Sequence, residues 1–292
     1  MGIEFDDSRV DVRGLDDRRG IGGGGIAIGG GAGIVGLILV VLFNLLGGQG
    51  GLPLSPGDGG TSQGESTREI EQRCNTPGAV NQYTDCRLIK VYDIADDVWR
   101  DEFARRGVPY ESPRLAFFQQ GVQTGCGQAS SQVGPFYCPP DEEIYIDLGF
   151  LEQLQEEFGA EGAFAQAYIL AHEFGHHLQT LLGTERRVRA GQQQNPDLTN
   201  QYSIALELQA DCYAGVWATL ADRRSENGIR LTQENIAEAV NAAQAVGDDR
   251  IQAKTQGRID PESWTHGSAQ QRRDWFLTGF QSASLDGCNT FR

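Results

Sequence analysis

"AHEFGHHLQ", residues 171–179, holds three of the four histidines in a chain of 292 residues. It lies within a run from about residue 162 to 182 that contains no proline and repeats apolar residues at helical spacing: Phe164, Tyr168, Phe174, Leu178 and Leu181. On a helix, His172 and His176 are four apart, so both rings share one face and reach one ion. Glu173 stands beside them and reaches a metal-bound water. That is the H-E-x-x-H arrangement of two ligands and a general base. His177 is rotated too far from either ring to join the same sphere, which leaves it a neighbour.

A catalytic zinc needs a third protein ligand and an open position. The extended pattern H-E-x-x-H-x-x-G-x-x-H fails, because its last positions hold Gln179 and Leu182. "ALELQADCYAG", residues 205–215, supplies an alternative on the next long helix. Glu207 and Asp211 are four apart and face one way amid largely apolar neighbours, so they need partners rather than water. Glu207 is the expected third ligand. Asp211 is the expected acceptor for the far nitrogen of a ligand histidine, a contact that fixes the ring. His266, the remaining histidine, is the candidate transition-state stabiliser.

The surrounding chain reads as α+β. Residues 87–106 repeat Ile89, Tyr92, Ile94, Val98, Trp99 and Phe103 as a helix stopped by Gly107 and Pro109. "RLAFFQQG" (114–121) and "IYIDLGF" (144–150) are short and rich in β-formers, hence strands, with "IYIDL" the expected edge strand beside the cleft. Residues 183–200 are polar and read as a loop. Helices follow at 201–223 and 231–247, and a last one is capped by Ser268 with Gln271 completing a capping box.

Outward from the domain, composition changes. The net charge is −16, with 40 acidic against 24 basic residues, which disfavours nucleic acid as a partner. Residues 21–46 carry no charge and are long enough to cross a bilayer. Arginines 9, 13, 18 and 19 precede them, so the expected arrangement has residues 1–20 in the cytoplasm and a single membrane span at 21–46. A flexible Gly/Ser/Pro tether follows at 47–66, and a metallopeptidase domain at 67–292 lies outside the cytoplasm. Gly25, Gly29 and Gly33, at four-residue spacing, suggest self-association through the span. The six cysteines, Cys74, Cys86, Cys126, Cys138, Cys212 and Cys288, all lie beyond the tether. An even number in an exported domain suggests disulfides. The sequence-local pairing, Cys74–Cys86, Cys126–Cys138 and Cys212–Cys288, is one of fifteen.

Together, "DDRRG", "PFYCPPDEEIYIDLGF", "AYILAHEFGHHLQ", "ELQADCYAGVWA" and "THGSAQQRRDWFLTGF" resemble blocks of the bacterial neutral zinc metallopeptidase family, membrane-anchored zincins with E-x-x-x-D after H-E-x-x-H. The resemblance implies one Zn2+ held by His172, His176 and Glu207, with Glu173 as base, in an endopeptidase acting on a peptide or protein substrate. The rival expectation is a non-catalytic zincin-fold scaffold at the membrane.

Overall fold

The computed structural model describes residues 5, 10–19, 66–130, 133–224 and 228–291. The sheet is assembled from chain segments far apart in sequence: β1 (Leu15–Asp17), β2 (Arg114–Phe118), β5 (Phe136–Cys138) and β6 (Glu143–Asp147). Its order is β1-β2-β6-β5, parallel except for the antiparallel β5–β6 pair. A separate hairpin, β3 (Gly121–Thr124) with β4 (Gly127–Ser130), projects between β2 and β5. The mixed α+β class expected from the sequence holds.

Ten α-helices surround this sheet among the described residues. Before β2 come α1 (Thr67–Cys74), α2 (Ala79–Gln82) and α3 (Thr84–Arg106). After β6 come α4 (Leu148–Phe158), α5 (Ala163–Leu181), α6 (Thr184–Gln194) and α7 (Thr199–Arg223). The last three are α8 (Gln233–Ala245), α9 (Asp248–Gln256) and α10 (Ala269–Ser282). The motif helix α5 is buried on nearly every face, with Phe164, Leu170, Ala171, Phe174 and Leu178 fully enclosed. Two close approaches set its neighbours. A Cβ on Gly175 would lie 2.9 Å from the Cα of Ala210, so glycine there lets α5 and α7 touch backbone to backbone. Likewise a Cβ on Gly279 would lie 1.8 Å from the carbonyl oxygen of Cys212, so α10 also seats directly on α7. The predicted capping box at Ser268 and Gln271 opens α10.

Three expectations are corrected. "IYIDL" is not the edge strand: β6 pairs on both sides, with β2 and β5, and the edge beside α5 is β5. Its continuous burial fits an interior strand. The polar stretch 183–200 is largely helical, because α6 buries one face, Thr184, Val188 and Gln192, at helical spacing. Residues 10–19, expected as a detached cytoplasmic segment, belong to the domain: Val10 and Val12 are buried in its core and β1 extends its sheet. The expected span at 21–46, its glycine face and the tether residues 47–65 lie outside the described residues. Among the described residues, no helix is long and apolar enough to cross a membrane.

All six cysteines are paired, Cys74–Cys86, Cys126–Cys138 and Cys212–Cys288. The sequence-local pairing therefore holds.

Candidate metal centre

Helix α5 presents His172 and His176 toward Glu207 of α7. The Nε2 of His172 is 3.2 Å from Glu207 Oε2, and the Nε2 of His176 is 3.5 Å from Glu207 Oε1. Metal bonds of 2.0–2.2 Å in a tetrahedron separate neighbouring donors by about 3.3–3.6 Å. One donor atom from each of the three residues lies within 4.8 Å of the others, so the set fits one ion. The donors, two imidazoles and a carboxylate, suit zinc.

Each ring is aimed by the nitrogen it does not offer. The Nδ1–H of His172 donates to Asp211 Oδ1 at 2.9 Å, leaving Nε2 free to coordinate. The Nδ1–H of His176 donates to Gln179 Oε1 at 2.9 Å. Gln179 is itself held by its amide, which donates to the Leu206 carbonyl of α7 at 2.7 Å. Asp211 is wholly buried and is the hub of a polar cluster. It accepts from Arg272 Nε at 2.8 Å and Nη2 at 2.9 Å, and from the Tyr168 hydroxyl. The bidentate guanidinium offsets a carboxylate that would otherwise be uncompensated in the core. Burial alone would raise the Asp211 pKa; Arg272 and His172 outweigh it and lower the pKa.

Charge at the site follows from the same contacts. Burial disfavours a charged His172, but Asp211 and Glu207 overcome it and push the ring up to about 9. Burial would likewise raise Glu207, yet His176 and His172 hold it well below the usual carboxylate range, ionised and ready to coordinate. At Glu173 the same two histidines pull downward but do not prevail. Burial dominates and raises its pKa, the direction that suits a proton acceptor.

His177 is not part of the centre. Its Nε2–H donates to the Glu111 carbonyl at 2.7 Å, and its Nδ1 accepts from the Tyr137 hydroxyl at 3.0 Å, so both nitrogens are used in tying α5 to β5. Burial pushes it down to about 4, and the ring stays neutral. His266 lines the same cleft as His172, Glu173 and His176. Its Nδ1 lies 3.2 Å from Asp248 Oδ1, and Asp248 Oδ2 accepts the backbone amides of Thr265, His266 and Gly267. Four contributors escaped sequence reasoning: Tyr168, Gln179, Asp248 and Arg272. Gln179 and Tyr168 carried a local signal, at i, i+3 from His176 and one turn before His172 on the same helix.

Much of the cleft wall is apolar, with Phe136, Phe150, Leu154, Ile169, Val188 and Leu206, while Thr180, Glu185 and Arg189 also line it. The H-E-x-x-H and E-x-x-x-D motifs thus converge, on two adjoining helices, in a donor set that could hold one metal ion. The chain belongs to the family described as "Putative neutral zinc metallopeptidase", which matches residues 4–291. It is 42% identical over 286 residues to uncharacterized protein YpfJ of Escherichia coli strain K12, covering 95% of each chain. It is 43% identical over 226 residues to uncharacterized protein Rv2575 of Mycobacterium tuberculosis strain H37Rv, covering 75% of this chain and 74% of that one. No solved structure matches.

Proposed function

We propose that the protein is a zinc-dependent endopeptidase of zincin type, with His172, His176 and Glu207 as ligands. The observation that carries this reading is the open donor set: three converging ligands with Glu173 beside them, buried but outside the coordinating trio. A structural zinc site is closed by four protein ligands and has no use for a neighbouring base, which argues against the scaffold reading.

When bound, zinc acidifies water and polarises a carbonyl. The rest falls to the chain. Glu173 takes the proton from the attacking water and returns it to the leaving amine. Asp211 and Gln179 keep the ligand rings in one tautomer and orientation, and Arg272 with Tyr168 keeps Asp211 in place. His266, its Nδ1–H held by Asp248 at the cleft wall, stabilises the developing oxyanion when its ring is protonated. An extended peptide lies along β5, whose outer edge has no strand partner among the described residues and borders the cleft. The apolar walls favour an apolar side chain next to the scissile bond.

Glu173→Gln is the test. The variant is expected to keep one zinc per chain and to lose 100-fold or more of its peptide-hydrolysing rate, on the order of what a general base contributes. Undiminished hydrolysis would remove Glu173 from the mechanism; wild-type protein that binds zinc but cleaves no general protein substrate would favour the scaffold.

A further inference from the structure

The "DDRRG" block, residues 16–20, precedes the uncharged stretch 21–46, and by the positive-inside rule its arginines would stay in the cytoplasm. The fold uses them differently. Arg18 donates to Glu143 Oε2 at 3.0 Å and stacks over Tyr145; both residues belong to β6, in the middle of the sheet. Arg19 donates to Asp85 Oδ2 at 2.9 Å and stacks over Phe117. The same Asp85 carboxylate takes Arg73 at 2.7 Å. Backbone contacts add to this. β1 runs parallel to β2 in the register Leu15–Leu115, Asp16–Ala116, Asp17–Phe117, and Arg18 N–H donates to the Phe117 carbonyl at 2.8 Å. Ahead of the strand, Val10 N–H donates to Asn75 Oδ1 and Asp11 N–H to Asp93 Oδ2. Phe5, Val10 and Val12 fill the domain's own core.

We infer that residues 5–19 and the domain from Ser66 onward occupy the same side of any membrane, so that the apolar stretch between them does not carry the chain across. A single crossing at 21–46 separates the two halves of this interface by a bilayer. Exchange of strands between copies does not rescue it, because every copy's N-terminus would stand on the wrong side. Nor do those residues provide two crossings. Twenty-six residues reach about 39 Å as a helix, while an outward and a return passage through hydrocarbon need about 60 Å. The exits agree with a same-side return: Arg19 and Arg73 share one carboxylate, and Ser66 caps α1 two turns before Arg73, about 10 Å of helix. The three disulfides assign that shared side to an oxidising compartment. This inference is independent of the peptidase reading.

The full-length chain with one epitope tag at its N-terminus and a different one at its C-terminus tests it in bacterial spheroplasts treated with external protease. Both tags are expected to be lost together, in step with an extracytoplasmic control. An N-terminal tag that survives while the C-terminal tag disappears would overturn the inference. The docked interface has its own readout in the purified full chain. The double variant Arg18→Ala, Arg19→Ala is expected to lower Tm by several degrees, whereas an unchanged Tm would show that the segment is not part of the domain.

Discussion

At the scale of the residue, the centre depends on which atoms are already engaged. Zinc binding at pH 7 must displace a proton from His172, because Asp211 and Glu207 raise that ring to about 9 in the metal-free protein. Calorimetry in buffers of different ionisation enthalpy is expected to show about one proton released per zinc; no release would mean that His172 is already neutral or is not a ligand. Titration of variants separates the roles further. Glu207→Ala is expected to lose zinc affinity by orders of magnitude and Asp211→Ala by about 10- to 100-fold, while His266→Ala keeps the metal. Zinc-loaded Glu207→Ala beside metal-free His266→Ala would exchange the two assignments. His172, Glu173, His176, Glu207 and Asp211 were legible because helical periodicity carries them onto shared faces. Arg272 was not: its reach to Asp211 crosses 61 residues and depends on how α10 sits. Asp248 reaches His266 across 18 residues and a turn, which periodicity does not resolve.

At the scale of the element, two helices must approach closely enough for side chains of ordinary length to meet on one ion. Gly175 permits this. Gly175→Ala places a methyl group 2.9 Å from Ala210 Cα, a backbone atom that cannot rotate away, so α5 and α7 must part. The expected result is a loss of about 1–3 kcal/mol of stability, the usual cost of overpacking. Zinc affinity is expected to fall with it while the helical circular dichroism is retained. Unaltered zinc affinity would show that the separation of these helices does not set the site. The long helices α3, α5, α7 and α8 could be read from the sequence because each repeats apolar residues over several turns. Strand order could not. β5 has three residues, and which strand of a sheet ends at the cleft is decided by pairing between distant segments. Helix α6 hid behind its polar composition, with Val188 as its main apolar anchor.

At the scale of the whole molecule, the N-terminal segment, α1 and α3 meet at one carboxylate, Asp85. Burial alone would raise the pKa of Asp85, but hydrogen bonds from Arg73 and Arg19 outweigh it and lower the pKa to about 2. A carboxyl depressed by folding contributes stability that is complete above its unfolded value, near 4, and is lost as the pH falls toward the folded value. The wild-type Tm is therefore expected to fall between about pH 4 and pH 2. In Asp85→Asn that part of the decline should be absent and the Tm at pH 7 lower. Equal acid sensitivity in both proteins would contradict the role of this junction. Composition showed the charge change along the chain but not the partners of those charges. Arg18 and Arg19 read as topology signals because their partners, Glu143 and Asp85, lie more than 60 residues away.

The account turns on one ion held between α5 and α7. Diffraction from crystals of the zinc-loaded protein, collected on both sides of the zinc absorption edge, tests it most directly. The expected anomalous map has one strong peak within about 2.0–2.2 Å of His172 Nε2, His176 Nε2 and a Glu207 carboxylate oxygen, with Glu173 nearby and not coordinated. A peak held by His266 or His177, or a fourth protein ligand closing the sphere, would contradict it.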